Sequence, residues 1–394
     1  MRLLLVIFGS FFLSGCAGLG ALKEGYDGLL EMFGSSEPVD PPAELGDLNP
    51  SRSARIVWDE SVGDGYKDQY VNLHPGVGAA RVFAADRRGQ VQAHQRLTGN
   101  ELWSVDTELV LAAGPAVGKS VLVVASNNGD VVALSQEDGS IVWMTTVSSE
   151  VLAFPQIAQG RVIIRSNDGR ISALDERTGA TIWYHERTVP PLSVRSRGAP
   201  VIAGSLVLDG YASGKLVALD FDDGKPEWEA VVAVPHGRSE IERLVDVDST
   251  PVIKADTAYV SGYQGGIAAV SLKDGDVLWR RENLSTASGL SADRRSLFLT
   301  DGAGDVWRLD LSSGADLWKQ NALHQRRLTA PVPIKDYLVV GDFEGYLHFL
   351  SKEDGSLVAR IQIDDSPIEA VPIVFDDVIY AYSSEGVLAA VALD

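Results

Sequence analysis

The chain has 394 residues, 45% of them apolar and 22% charged, a make-up suited to a globular protein with a real core. Its formal net charge is −20 and its pI is near 4.7, a balance that repels nucleic acid and anionic lipid headgroups and excludes both as expected partners.

The first element is an export signal. Met1-Arg2 opens the chain, and an 11-residue stretch from Leu3 to Leu13 follows, apolar except for Gly9 and Ser10. That is too short to span a bilayer comfortably but suits the h-region of a signal peptide. Leu13-Ser14-Gly15 then leads to Cys16, the only cysteine, in the pattern of a lipobox. Cleavage after residue 15 would leave Cys16 to carry diacylglycerol, and two or more acyl chains give stable anchoring. Ala17, where an aspartate would retain the protein at the inner membrane, resembles the outer-membrane sorting signal of bacterial lipoproteins. Residues 16–54 read as the lipidated cysteine and a flexible tether, because Gly, Ser and acidic residues dominate and Pro38, Pro41, Pro42 and Pro50 prevent a long helix.

From residue 55 to 394 the chain is periodic, which makes the expected fold all-β. Paired glycines ten residues apart recur at 89/99, 129/139, 169/179, 214/224, 265/275, 304/314 and 345/355. Four residues after the second glycine stands Trp103, Trp143, Trp183, Trp228, Trp279 or Trp318, with Ala359 in the last copy. The glycines suit tight turns, and the alternating Val/Ile/Leu/Ala runs between them suit short strands. A further strand precedes the first glycine and another follows a recurring proline, which makes four antiparallel strands in about 40 residues: a propeller blade. Gly386 opens an eighth copy that lacks its second glycine, while Ile56-Val57-Trp58 near the start lacks a turn pair before it. The expectation is an eight-bladed β-propeller whose last blade is closed by the N-terminal strand, with each tryptophan wedged between blades.

No catalytic constellation emerges. His74, His94, His185, His236, His324 and His348 are scattered without metal-ligand spacing and read mostly as surface or loop residues. There is no Walker loop or nucleophile elbow. Asp246-Val247-Asp248-Ser249-Thr250-Pro251 starts like a calcium loop but has proline where glycine is needed. No enzyme activity and no cofactor are expected.

The departures from regularity are more informative. From outer-strand position to next proline the chain takes 12 residues after Trp103 and Trp143, and 13 after Trp318 and Ala359. It takes 17 after Trp58 and Trp183 and 23 after Trp228. The last two connections are neighbours in the ring, and loops that outgrow a rigid scaffold are favoured places for binding residues. Arg195 and Asp246 each stand five residues before their proline. Leu192, Val194 and Arg195 beside Asp246 and Asp248 would form an apolar patch rimmed by opposite charges. The same charges could instead pair within the molecule and hold the two loops together.

The lipobox, the stretch VGDGYKDQYVNLHPGVG, the repeat VxALDxxTGxxxW and the pair LSVR and EIERLVDVDSTPV resemble the BamB family, lipoprotein propellers of the outer-membrane β-barrel assembly machinery. The resemblance covers the mature chain. It implies a non-catalytic scaffold on the periplasmic side of the outer membrane, monomeric within a hetero-oligomeric complex. Its partners would be the POTRA domains of BamA and nascent outer-membrane β-barrels, with Leu192, Val194 (often leucine in the family), Arg195, Asp246 and Asp248 as the BamA-contacting residues. Two other readings share the fold: a quinoprotein dehydrogenase, which characteristically adds adjacent cysteines and a calcium-bound cofactor in the funnel, and a scaffold of some other envelope assembly.

Overall fold

The computed structural model describes residues 40–67, 70–187, 197–234, 245–247, 249–262, 265–286 and 288–394, and one packed unit runs from Ala43 to Asp394. Among the described residues every regular element is a strand. The strands form eight sheets, and seven of these take four consecutive strands each: 76–106, 111–146, 156–185, 201–231, 252–281, 290–320 and 332–362. These are blades 1 to 7 of the expected propeller. Blade 8 is built from Ile373–Phe375, Val378–Tyr382 and Val387–Leu393, with Ala54–Ser61 as its outermost strand. The register runs from Ala54 opposite Leu393 to Ser61 opposite Val387. The N-terminal strand therefore closes the ring as the spacing predicted.

The repeat signature explains how blades are joined. Each outer-strand tryptophan lies on the turn of the next blade and donates from Nε1 to a backbone carbonyl there: Trp58 to Arg96, Trp103 to Gln136 and Trp143 to Glu176, at 2.8 to 3.0 Å. Trp183, Trp228, Trp279 and Trp318 do the same. The second glycine of the turn is the floor for the ring. A Cβ at Gly179 would come within 2.5 Å of the Trp143 indole, and its φ of +70° already disfavours other residues. Seven of the eight junctions carry this latch; the exception lies between blades 7 and 8, where Ala359 stands.

The histidines are less superficial than their spacing suggests. His94 is buried, with Nδ1 at 2.8 Å from the Gly99 carbonyl and Nε2 at 3.1 Å from Gln92. His348 is also buried, with Nε2 at 2.8 Å from Asp342. Both sit on the third strand of a blade, where alternation points them into the layer between blades and a polar side chain must find a partner. His236 lies outside the described residues.

Candidate functional site

The three long connections are the departures from a regular ring, so the candidate site is built from them. The first, after Trp58, turns into the ring axis. Asn72–Leu73 pairs in parallel with the inner strand of blade 2, Asn72 opposite Ala113 and Leu73 opposite Gly114, which makes this the one five-stranded sheet among the described residues. The segment borders a cavity of about 610 Å³ lined by the approaches to the inner strands around the ring, among them Phe154, Thr250, Gly289, Thr329 and Ala370. The His74 ring stacks on Phe154 with centroids 3.9 Å apart and planes at 12°. Its Nδ1 is buried without a hydrogen-bond partner among the described residues, and burial pushes its pKa down to about 4, so the ring is neutral at pH 7.

The second and third connections, 186–200 and 232–251, are described only at their bases. Leu192, Val194, Arg195 and Asp248, four of the five residues expected to contact a partner, lie outside the described residues, as does Cys16. Asp246 is described: it is 1% exposed, between the buried Val245 and Val247. The Val247 amide donates to the Tyr211 carbonyl at 3.1 Å, which seats this strip on the end of the second strand of blade 4.

The three connections are bonded to one another. Arg197 donates from Nη1 to the Val71 carbonyl at 2.8 Å and lays its guanidinium over Tyr70 at 4.4 Å. Asn72 returns a bond from Nδ2 to the Arg197 carbonyl at 3.2 Å. The Ala199 amide donates to Thr250 Oγ1 at 2.9 Å, tying the second connection to the third. Sequence reasoning gave no role to Arg197, Asn72 or Thr250. VNLHPG was visible as a motif, but spacing does not say which way a long connection points.

Beneath these bases lies a belt of paired charges. Arg165 reaches the Gly198 carbonyl at 3.1 Å and the buried Asp209 at 3.4 Å. Burial raises the Asp209 pKa to about 6 despite the opposing pull of Arg165. Glu229 is held by Arg187 at 2.7 Å and Lys215 at 2.9 Å, and those hydrogen bonds, Arg187 first, hold its carboxyl below the usual range. The Arg187 guanidinium also lies over the Tyr211 ring at 5.0 Å. No group of three or more His, Cys, Asp or Glu among the described residues is arranged to hold a metal ion.

This geometry defines a class: an eight-bladed, tryptophan-latched propeller whose three long connections are bonded to one another at their described bases. Comparison with known proteins narrows the class. A family model described as "Outer membrane protein assembly factor BamB" matches residues 87–320 and 313–394, and the chain belongs to that family. A BamB from Pseudomonas aeruginosa is 49% identical over 350 residues, covering 89% of this chain and 92% of that protein. The crystal structure of BamB from Moraxella catarrhalis superposes with a TM-score of 0.77 at 29% identity, over 86% of this chain and 100% of that one. A quinohemoprotein alcohol dehydrogenase from Pseudomonas putida HK5 also superposes, with a TM-score of 0.69 over 86% of this chain and 76% of that one. At 11% identity that likeness is one of fold alone.

Proposed function

We propose that this chain is a non-catalytic scaffold of the outer-membrane β-barrel assembly machinery, anchored by a lipidated Cys16 to the periplasmic side of the outer membrane. Residues 1–15 would be the signal and the chain after Cys16 the tether. It docks on the POTRA domains of BamA through the second and third long connections, using Leu192, Val194, Arg195, Asp246 and Asp248, and so helps nascent β-barrels reach the site of insertion. The observation that carries this reading is the family match over residues 87–394, joined to the clustering of extra chain at two neighbouring connections.

The quinoprotein reading has less support. The segment Asn72–His74 lies in the funnel where such enzymes carry their cofactor, and the adjacent cysteines they characteristically have are missing from a sequence whose one cysteine is Cys16.

Arg195→Ala tests the docking. Removing one partner of a desolvated charge pair costs on the order of 2–5 kcal/mol of binding. The variant should lose co-purification with BamA while its thermal unfolding matches the parent, and a photocrosslinker at position 195 should capture BamA in intact envelopes. Normal co-purification together with no BamA crosslink would show that these connections are not the dock.

A further inference from the structure

The junction between blades 7 and 8 is the one without a tryptophan, and extra chain covers its outer edge. At Val358, just before Ala359, the side chain is 6% exposed. The matching residues of other blades, Leu102, Val142, Ile182, Leu278 and Leu317, are 45% to 57% exposed. The cover is residues 43–53. The amides of Ser51 and Arg52 both donate to the Val358 carbonyl, at 3.0 and 3.2 Å, and Arg360 Nη2 donates to the Gly46 carbonyl at 3.1 Å. Leu45 packs into the cluster formed by Phe298, Leu323, Leu338 and Trp318 between blades 6 and 7.

The far end of this segment is held by charge. Ala43 donates its amide to the His324 carbonyl at 2.9 Å and accepts from Arg326 Nη1 at 3.0 Å. Arg326 is almost fully buried, its Nε 2.8 Å from Asp342, with Glu344 also paired to it and Phe343 beneath the guanidinium at 4.9 Å. The strap's carbonyl is thus one acceptor of a guanidinium that has few routes to water.

We infer that residues 43–53 are a strap that closes the junction between blades 7 and 8, doing there what a docked tryptophan does at the other seven. The topology gives the reason for the substitution. A tryptophan needs the turn between the last two strands of the next blade as its floor. Blade 8 has no such turn, because its outermost strand, Ala54–Ser61, comes from the other end of the sequence. An indole at 359 would have no glycine to lie on. The chain that enters blade 8 covers the gap instead, and Ala54 and Ile56 continue the same packing against Val358 and Ala359. The sequence boundary at 55 marks the first strand of the ring, whereas the packed unit begins at Ala43. The strap stands independently of any docking on BamA.

Hydrogen exchange on two deletions, both keeping Cys16, tests this. Removing 17–42 shortens the tether and should leave protection as in the parent. Removing 17–53 should speed amide exchange in strands of 332–393 by about tenfold or more, with blades 2 and 3 unchanged. No change anywhere, or equal loosening of all eight blades, would overturn the assignment. If the longer deletion fails to fold, Ser51→Pro in the full chain, which removes the amide donor to the Val358 carbonyl, is read by the same local-against-uniform criterion.

Discussion

The neutral His74 in the channel makes stability depend on pH in a way that one substitution should remove. In the unfolded chain His74 takes up a proton as the pH falls through 6.5, whereas in the folded protein burial delays this until about 4. The folded pKa is the lower one, so the full stability is present above pH 6.5 and is lost progressively as the pH falls from 6.5 towards 4. At about 1.4 kcal/mol per pH unit the loss is about 2 kcal/mol at pH 5. His74→Phe keeps an aromatic ring against Phe154 and removes the titrating group. Urea unfolding of both proteins at pH 7.5, 6 and 5, followed by tryptophan fluorescence, should show the variant gaining on the parent by about 2 kcal/mol over that range. Carboxylates titrate in both proteins and cancel in the difference. A difference that stays flat from pH 7.5 to 5 would mean that the ring is solvated, and that the segment before blade 1 does not pack against Phe154 as the stacking shows.

Trp143→Ala removes a latch between blades 2 and 3, its bond to the Glu176 carbonyl and its contact with Gly179. The expected cost is about 3–5 kcal/mol by denaturant unfolding, and a cost below about 1 kcal/mol would contradict the wedge role of the tryptophans. Asp209 carries the opposite pH sign from His74. Its folded pKa of about 6 lies above the unfolded value of 3.8, so its contribution is present below 3.8 and lost as the pH rises through 6. Asp209→Asn should therefore gain on the parent by about 1 kcal/mol between pH 5 and pH 8 in paired unfolding curves, and a gain that shrinks with rising pH would refute the assignment.

The ring was legible because each blade repeats one physical solution. A glycine with positive φ, a strand and an indole that needs that glycine as its floor must recur together, and Gly179 with Trp143 shows why neither can change alone. Closure by Ile56-Val57-Trp58 was legible for the same reason, since an unpaired tryptophan and an unfinished blade complete each other. The strap was not legible. Residues 43–53 have a linker's composition, and their contacts are mostly backbone groups meeting Val358, Arg326 and Arg360, which leave no mark in side-chain pattern. Asp246 shows a different limit: spacing made it equivalent to Arg195, yet equivalence around a ring does not tell a rim carboxylate from one seated over blade 4.

Three connections exceed the regular length, and around the ring they look like one isolated case and one adjacent pair. In space they are a single assembly, because the connection after Trp58 skips blade 1, pairs with blade 2 and meets Arg197 inside the channel. Arg197 is thus the hinge of the arrangement, with one hand on Val71 and Asn72 and its near neighbour Ala199 on Thr250. The bases of these connections are tied to more than one blade at once, and rigid presentation lowers the ordering cost of binding. Extra chain here therefore has a mechanical consequence that the same length added at any single junction would lack.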